Sequence, residues 1–244
     1  MTTTVQSPAA KAPARIPMTS TRKTALVAGV FYLITFCSIP TLALYGPVKN
    51  HRDWVLGTGG HTGVLVGGFL EVIVALAGIG TAITLYPVVK RQNEGFALGF
   101  VTSRVIEAGL IFTGVLSLLS LVTLRQDLTG GNAASLVTTA ASHVATYKWT
   151  FVLGQNLMPG VNALLLGTLL YRSRLVPRAL PLLGLIAGPL LIASVAATIF
   201  GGIKLGSPIL AGLPVAAWEL SLGVWLTVKG FRPTAITAGI DAAA

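Results

Sequence analysis

"FALGFVTSRVIEAGLIFTGVLSLLSLVTL", Phe96 to Leu124, is the stretch on which the fold turns. About 20 apolar helical residues cross a ~30 Å hydrocarbon core, and this run exceeds that length. A water-facing helix keeps one polar face, whereas this one is apolar nearly all round. Its exceptions are Arg104 and Glu107, two charges placed where the neighbours suit lipid.

Outward from that run the composition agrees. Hydrophobic residues make up 53% of the chain, charged residues only 10%, and the mean hydropathy is +0.80. So few charges cannot cover a water-facing surface, which makes the bilayer the expected partner. A net charge of +10 in a soluble domain would suggest nucleic acid. In a membrane chain Lys and Arg set orientation instead, so no nucleic-acid partner is expected. The single cysteine, Cys37, excludes an intrachain disulfide.

Counting apolar stretches gives an all-α fold, a polytopic six-helix transmembrane bundle. The spans run approximately over 24–44, 62–86, 96–124, 150–171, 179–203 and 207–228. Residues 1–22 read as a disordered tail, 23–231 as the membrane domain and 232–244 as a short tail. The first run is read as a span and not a cleaved leader, because it outruns a signal h-region and carries Pro40. Lys11, Arg15, Arg22, Lys23, Lys90, Arg91, Arg172, Arg174, Arg178, Lys229 and Arg232 fall on one side of such a bundle. Lys49, Arg52, Arg125, Lys148 and Lys204 fall on the other. Both termini are therefore expected in the cytoplasm.

On the outer side, Asn132 precedes Leu136, Val137, Ala140, Ala141 and Val144, the pattern of a short helix lying in the interface. Tyr147, Lys148 and Trp149 read as an amphipathic belt at the mouth of the fourth span. Within the membrane, Gly63-x-x-x-Gly67 and Gly184-x-x-x-Gly188 signal close helix packing. Pro159-Gly160 sits mid-span beside polar residues and marks a kink or a break.

The ionisable residues inside spans are costly and must face one another or water. At ~1.5 Å rise per residue, Arg104, Glu107, Asn162 and Glu219 lie about 12–16 Å from the cytoplasmic end of their helices. Glu71, Gln155 and Asn156 lie about 22–24 Å along, forming a second layer nearer the outside. Arg104 and Glu107 are i and i+3 on one face, in the weaker base-before-acid order, so Arg104 is expected to reach Glu219 or Glu71 as well. One guanidinium against three carboxylates implies that at least one carboxyl is protonated or holds a cation. Glu107 and Glu219 also sit at matching places in the third helix of each half, the arithmetic of an inverted repeat.

Enzyme signals are weak. His51, His61 and His143 lie on or near the outer side and show no i, i+4 ligand pair, even with Asp53, Asp127 or Glu71 nearby. No nucleophile elbow, P-loop or dinucleotide fingerprint occurs, and "GTGG" at Gly57 to Gly60 is too short for phosphate binding. No catalytic residue, metal site or cofactor is assigned.

Three segments carry a family resemblance: "LYPVVKRQNEGFALGFVTSRVIEAG" from Leu85, "LLYRSRLVPRALPLLGLIAG" from Leu169 and "WELSLGVWLTVKGF" from Trp218. Together they resemble the integral membrane proteins of domain-of-unknown-function family 4386, over nearly all of Arg22 to Phe231. The resemblance implies a six-helix protein of the bacterial inner membrane. It supplies no catalytic residues, and it directs interest to Arg104, Glu107, Arg174, Pro177 and Glu219. Three functions fit: a small transport or binding protein for an ion or polar solute, a non-catalytic scaffold with a structural charge network, and a lipid-modifying enzyme.

Overall fold

A computed structural model of the chain describes residues 18–51, 53–57, 60–127, 132–201, 209–238 and 240, without the side chains of Asp127, Ile209 and Leu210. The first 17 residues of the expected tail, Arg52, Lys204 and Pro208 lie outside the described residues.

All regular structure among the described residues is helical. The helices are α1 (Ser20–Ile34), α2 (Thr41–Leu44), α3 (Gly46–Asn50), α4 (Thr62–Val89), α5 (Glu94–Asp127), α6 (Ala133–Thr150), α7 (Met158–Ser173), α8 (Ala179–Ile199) and α9 (Ile209–Val228). Five segments are long and apolar enough to cross a membrane: Ser20–Leu44, Thr62–Val89, Glu94–Gln126, Ala179–Ile199 and Ala211–Val228. Their outer faces carry Phe69, Ile83, Leu116, Leu190 and Val228, each about two-thirds exposed, a belt that only lipid covers without penalty.

Two expectations change. The first span is not one helix: α1 ends at Ile34, a 3₁₀ turn spans Thr35–Ser38, and Pro40 restarts the chain as α2. The fourth is not a helix beginning at residue 150. Instead α6 runs without a break into a π-helix, Phe151–Leu157, and on into α7. Pro159 explains the π turn, since it has no N–H to donate and its ring crowds the carbonyl four residues back, widening the turn before it. The Asn132 side chain accepts from the Ala134 N–H at 3.0 Å and caps α6. The apolar face of α6 packs on the bundle, where Ala140 is buried and Leu136, Val137 and Val144 meet the cluster of Tyr45, Val55 and Leu121, while Ala141 stays exposed.

Local chemistry sets the other ends. Thr19 Oγ1 accepts from the Arg22 N–H at 3.3 Å and caps α1. Asn93 Oδ1 accepts from the Phe96 N–H at 2.9 Å and starts α5, with Glu94 in its first turn favoured by the helix dipole. Arg174, at φ 57°, closes α7 in the left-handed region and lets Leu175 and Val176 turn into the core.

One end of the bundle gathers both described chain ends. Arg22 donates to the carbonyls of Leu226 (3.0 Å) and Thr227 (2.6 Å) at the end of α9. The Arg232 N–H donates to the Leu175 carbonyl at 2.7 Å, and Arg91 donates to the Ile236 carbonyl at 3.3 Å. The α4–α5 and α7–α8 turns therefore lie at that end too. Between the ends, α1 and α9 cross where Gly29 faces α9: a Cβ there would sit 2.6 Å from the Thr227 backbone nitrogen. The 184/188 glycine pair packs as its spacing predicts, Gly184 under the Trp218 indole and Gly188 against the Gly160 carbonyl.

Candidate functional site

Four helices converge on Arg104, which is 2% exposed. One guanidinium nitrogen, Nη1, donates to Glu107 Oε1 and Oε2 at 3.2 and 3.0 Å. The other, Nη2, donates to Glu219 Oε1 on α9 at 2.5 Å. From α7, Asn162 Nδ2 donates to Glu107 Oε2 at 2.7 Å. The planar group lies 5.5 Å from the Tyr32 ring centroid on α1 and 5.7 Å from that of Phe100. The fork of an arginine matches this task, since it binds two carboxylates at fixed angles and stacks on aromatic faces. Asn162 Oδ1 and Trp218 Nε1, both buried, have no hydrogen-bond partner among the described residues.

Glu71 does not meet Arg104. It is 1% exposed on α4 and is held by three neutral donors. Tyr147 Oη donates to Oε1 at 2.9 Å, Gln155 Nε2 to Oε1 at 3.0 Å, and Tyr45 Oη to Oε2 at 3.3 Å. The two tyrosine rings meet edge to face, 5.3 Å between centroids. Lys49 lies over both, with Nζ 6.0 Å from the Tyr45 centroid and 5.7 Å from that of Tyr147. The three glutamates are thus divided. Glu107 and Glu219 share one guanidinium, and Glu71 has a donor cage with an ammonium behind the aromatic wall.

A cavity of about 240 Å³ borders the Arg104 group and reaches Gln155 of the Glu71 group. Arg104, Glu107 and Glu219 line it on one side, Gln155 and Asn156 of the π-helix on another. Ile39, Leu42 and Leu213, all exposed, stand at its rim, so it opens sideways between the broken first span and α9. Asn156 spends its amide on the Phe151 carbonyl at 3.2 Å. Gln155 is therefore the residue that touches both the cavity and Glu71.

The structure brings Arg104, Glu107, Asn162 and Glu219 into one contact group and Glu71 with Gln155 into another. Sequence reasoning missed Tyr32, Tyr45, Tyr147 and Lys49. Its sequence context places Tyr147 in an interfacial belt, yet it is 3% exposed and turned inward. The available signal was its spacing from Gln155, about two turns along, usable only once α6 and the π-helix form one rod. Of the histidines, His143 Nδ1 lies 3.2 Å from Ser117 Oγ, and His61 Nε2 lies 3.3 Å from Gln126 Nε2.

No curated protein and no solved structure matches this chain. A family model does, over residues 27–230, a range that contains every residue of both clusters. The chain accordingly belongs to the family described as Domain of unknown function (DUF4386).

Proposed function

We propose that this is a six-span protein of the bacterial inner membrane, with cytoplasmic termini, whose side-opening cavity binds a small cationic solute at Glu219 for passage or sensing. The carrying observation is the charge on the cavity wall. Arg104 is committed to both Glu107 and Glu219. Two carboxylates against one guanidinium leave one negative charge in a poorly solvated place, which a proton or a cation relieves. Glu219 is the more accessible of the pair, its side chain 13% exposed against 9% for Glu107. The volume suits an alkali cation with water or a small organic amine.

Support for six crossings comes from the chain ends. The start of α1 and the end of α9 touch, which fits an even number of passages, with the π-helix and α7 as the candidate sixth beside the five long apolar segments. Lys and Arg gathered at that end support its assignment to the cytoplasm. A scaffold would want a dry, fully paired layer, whereas this one borders a cavity and leaves Asn162 Oδ1 unsatisfied. The lateral mouth lies beside Ile39 and Leu213, away from His61 and His143, which gives a lipid-modifying reading no support.

The test is thermal unfolding of the detergent-purified chain with sodium, potassium, choline or tetramethylammonium chloride at constant ionic strength. One of these should raise the Tm of the wild type and leave Glu219→Gln unmoved. An equal response from both proteins sinks the reading.

A further inference from the structure

A second cavity, of about 390 Å³, lies at the opposite end of the bundle from the chain termini, between α3, the 3₁₀ turn Trp54–Leu56 and α6. Lys49 and Lys148 both line it, with His51 at its edge. Neither lysine has a carboxylate within ion-pair distance among the described residues. Lys49 is held in place by the faces of Tyr45 and Tyr147, whose hydroxyls point away from it to Glu71. Burial pushes the Lys49 ammonium below its ordinary pKa; the charge of Glu71 opposes this, and the like charge of Lys148 adds to it. Glu71 acts on Lys49 only from behind the tyrosine rings, and no carboxylate lines the pocket itself among the described residues, so an anion between the two ammonium groups answers both.

The remaining walls say what else the anion carries. Trp54, Leu121 and Val144 present apolar surface to the same space. Lys49, His51 and Trp54 fall in the connection between the apolar segments Ser20–Leu44 and Thr62–Val89, where a bilayer crossed by both segments would place its headgroups. We propose that this cavity is an anion site for a phosphate-bearing ligand, with the phosphate between Lys49 and Lys148 and any apolar portion along Trp54, Leu121 and Val144. The chemistry is shared by a phospholipid headgroup and by a free phosphate, and the site involves neither Arg104 nor Glu219.

The experiment uses the full chain in detergent with three probes: phosphatidylglycerol, phosphatidylcholine of the same acyl chains, and inorganic phosphate. Native mass spectrometry reads the lipids, and Trp fluorescence with thermal unfolding reads phosphate. Phosphatidylglycerol is expected to bind in preference to phosphatidylcholine, and Lys49→Gln/Lys148→Gln to weaken it by about tenfold or more. Lys49→Arg/Lys148→Arg should retain it, and Lys90→Gln at the other end should leave it unchanged. Phosphate binding that is lost in the double Gln variant, without lipid preference, assigns the site to a soluble phosphate. Should the double variant not fold, Lys148→Gln alone carries the test, with binding weaker by about threefold. The proposal is overturned if neither anion binds the wild type, if phosphatidylcholine binds as tightly and phosphate not at all, or if Lys90→Gln loses as much as the lysine pair.

Discussion

The Arg104 cluster and the Glu71 cluster solve one problem in two ways. Each keeps a carboxylate inside an apolar bundle, where an unpaired charge is prohibitive. Around Arg104 the solution is ionic: a forked cation spans two helices and holds two carboxyl groups beside a cavity. Around Glu71 it is dipolar: two hydroxyls and an amide occupy the oxygens, and the cation stays behind the rings. An ionic solution is strong but fails as a unit when one member is removed. A dipolar one is divisible, each donor contributing its own share.

The largest test of that contrast is Arg104→Ala, which strands two carboxylates and should destabilise the protein by about 3–5 kcal/mol in detergent unfolding. Pairing it with Glu107→Gln and Glu219→Gln should recover much of the loss, because no charge is then left alone. A loss under about 1 kcal/mol for Arg104→Ala would show that water already neutralises the layer. Next in size is Tyr147→Phe, which removes a 2.9 Å donor to a carboxylate and should cost about 1.5–3 kcal/mol. Tyr45→Phe removes a longer bond of 3.3 Å and should cost less, about 0.5–1.5 kcal/mol. Equal losses for the two tyrosines would mean that ring packing, not hydrogen bonding, holds Glu71. The smallest effect is the coupling between clusters: Tyr147→Phe combined with Glu219→Gln should be additive within about 0.5 kcal/mol. A larger coupling, abolished by Gln155→Ala, would make Gln155 an energetic link and the two clusters one site.

Depth was legible in the sequence, and rotation was not. Rise per residue is fixed, so counting from a helix end put Arg104, Glu107, Asn162 and Glu219 in one layer, and in the structure these four touch. Rotation needs an apolar stripe, and α4, apolar on every face, offers none. Nothing in it tells which neighbours Glu71 sees, so the choice between Glu219 and Glu71 as the second partner of Arg104 stays open until the structure gives Glu219. Aromatic residues add a second ambiguity, because Tyr serves at a bilayer interface and as a buried donor alike. Tyr147 takes the second role while its sequence context suggests the first. Breaks were half legible: Pro40 and Pro159 announced irregularity, but whether a proline ends a helix or widens its turn depends on what packs around it.

The crossing at Gly29 has a consequence for genetics. Any side chain there meets the Thr227 hydroxyl and, behind it, backbone atoms of Thr227 and Gly223 that cannot turn aside, so the neighbouring helix must tilt away. Glu219 rides on that helix two turns from the collision, and its 2.5 Å grip on Arg104 tolerates little displacement. A selection for loss of ligand binding should therefore recover alanine and serine at Gly29 beside changes at Arg104 itself. An allele with no charge and no contact with the cavity would share the phenotype of the ion pair.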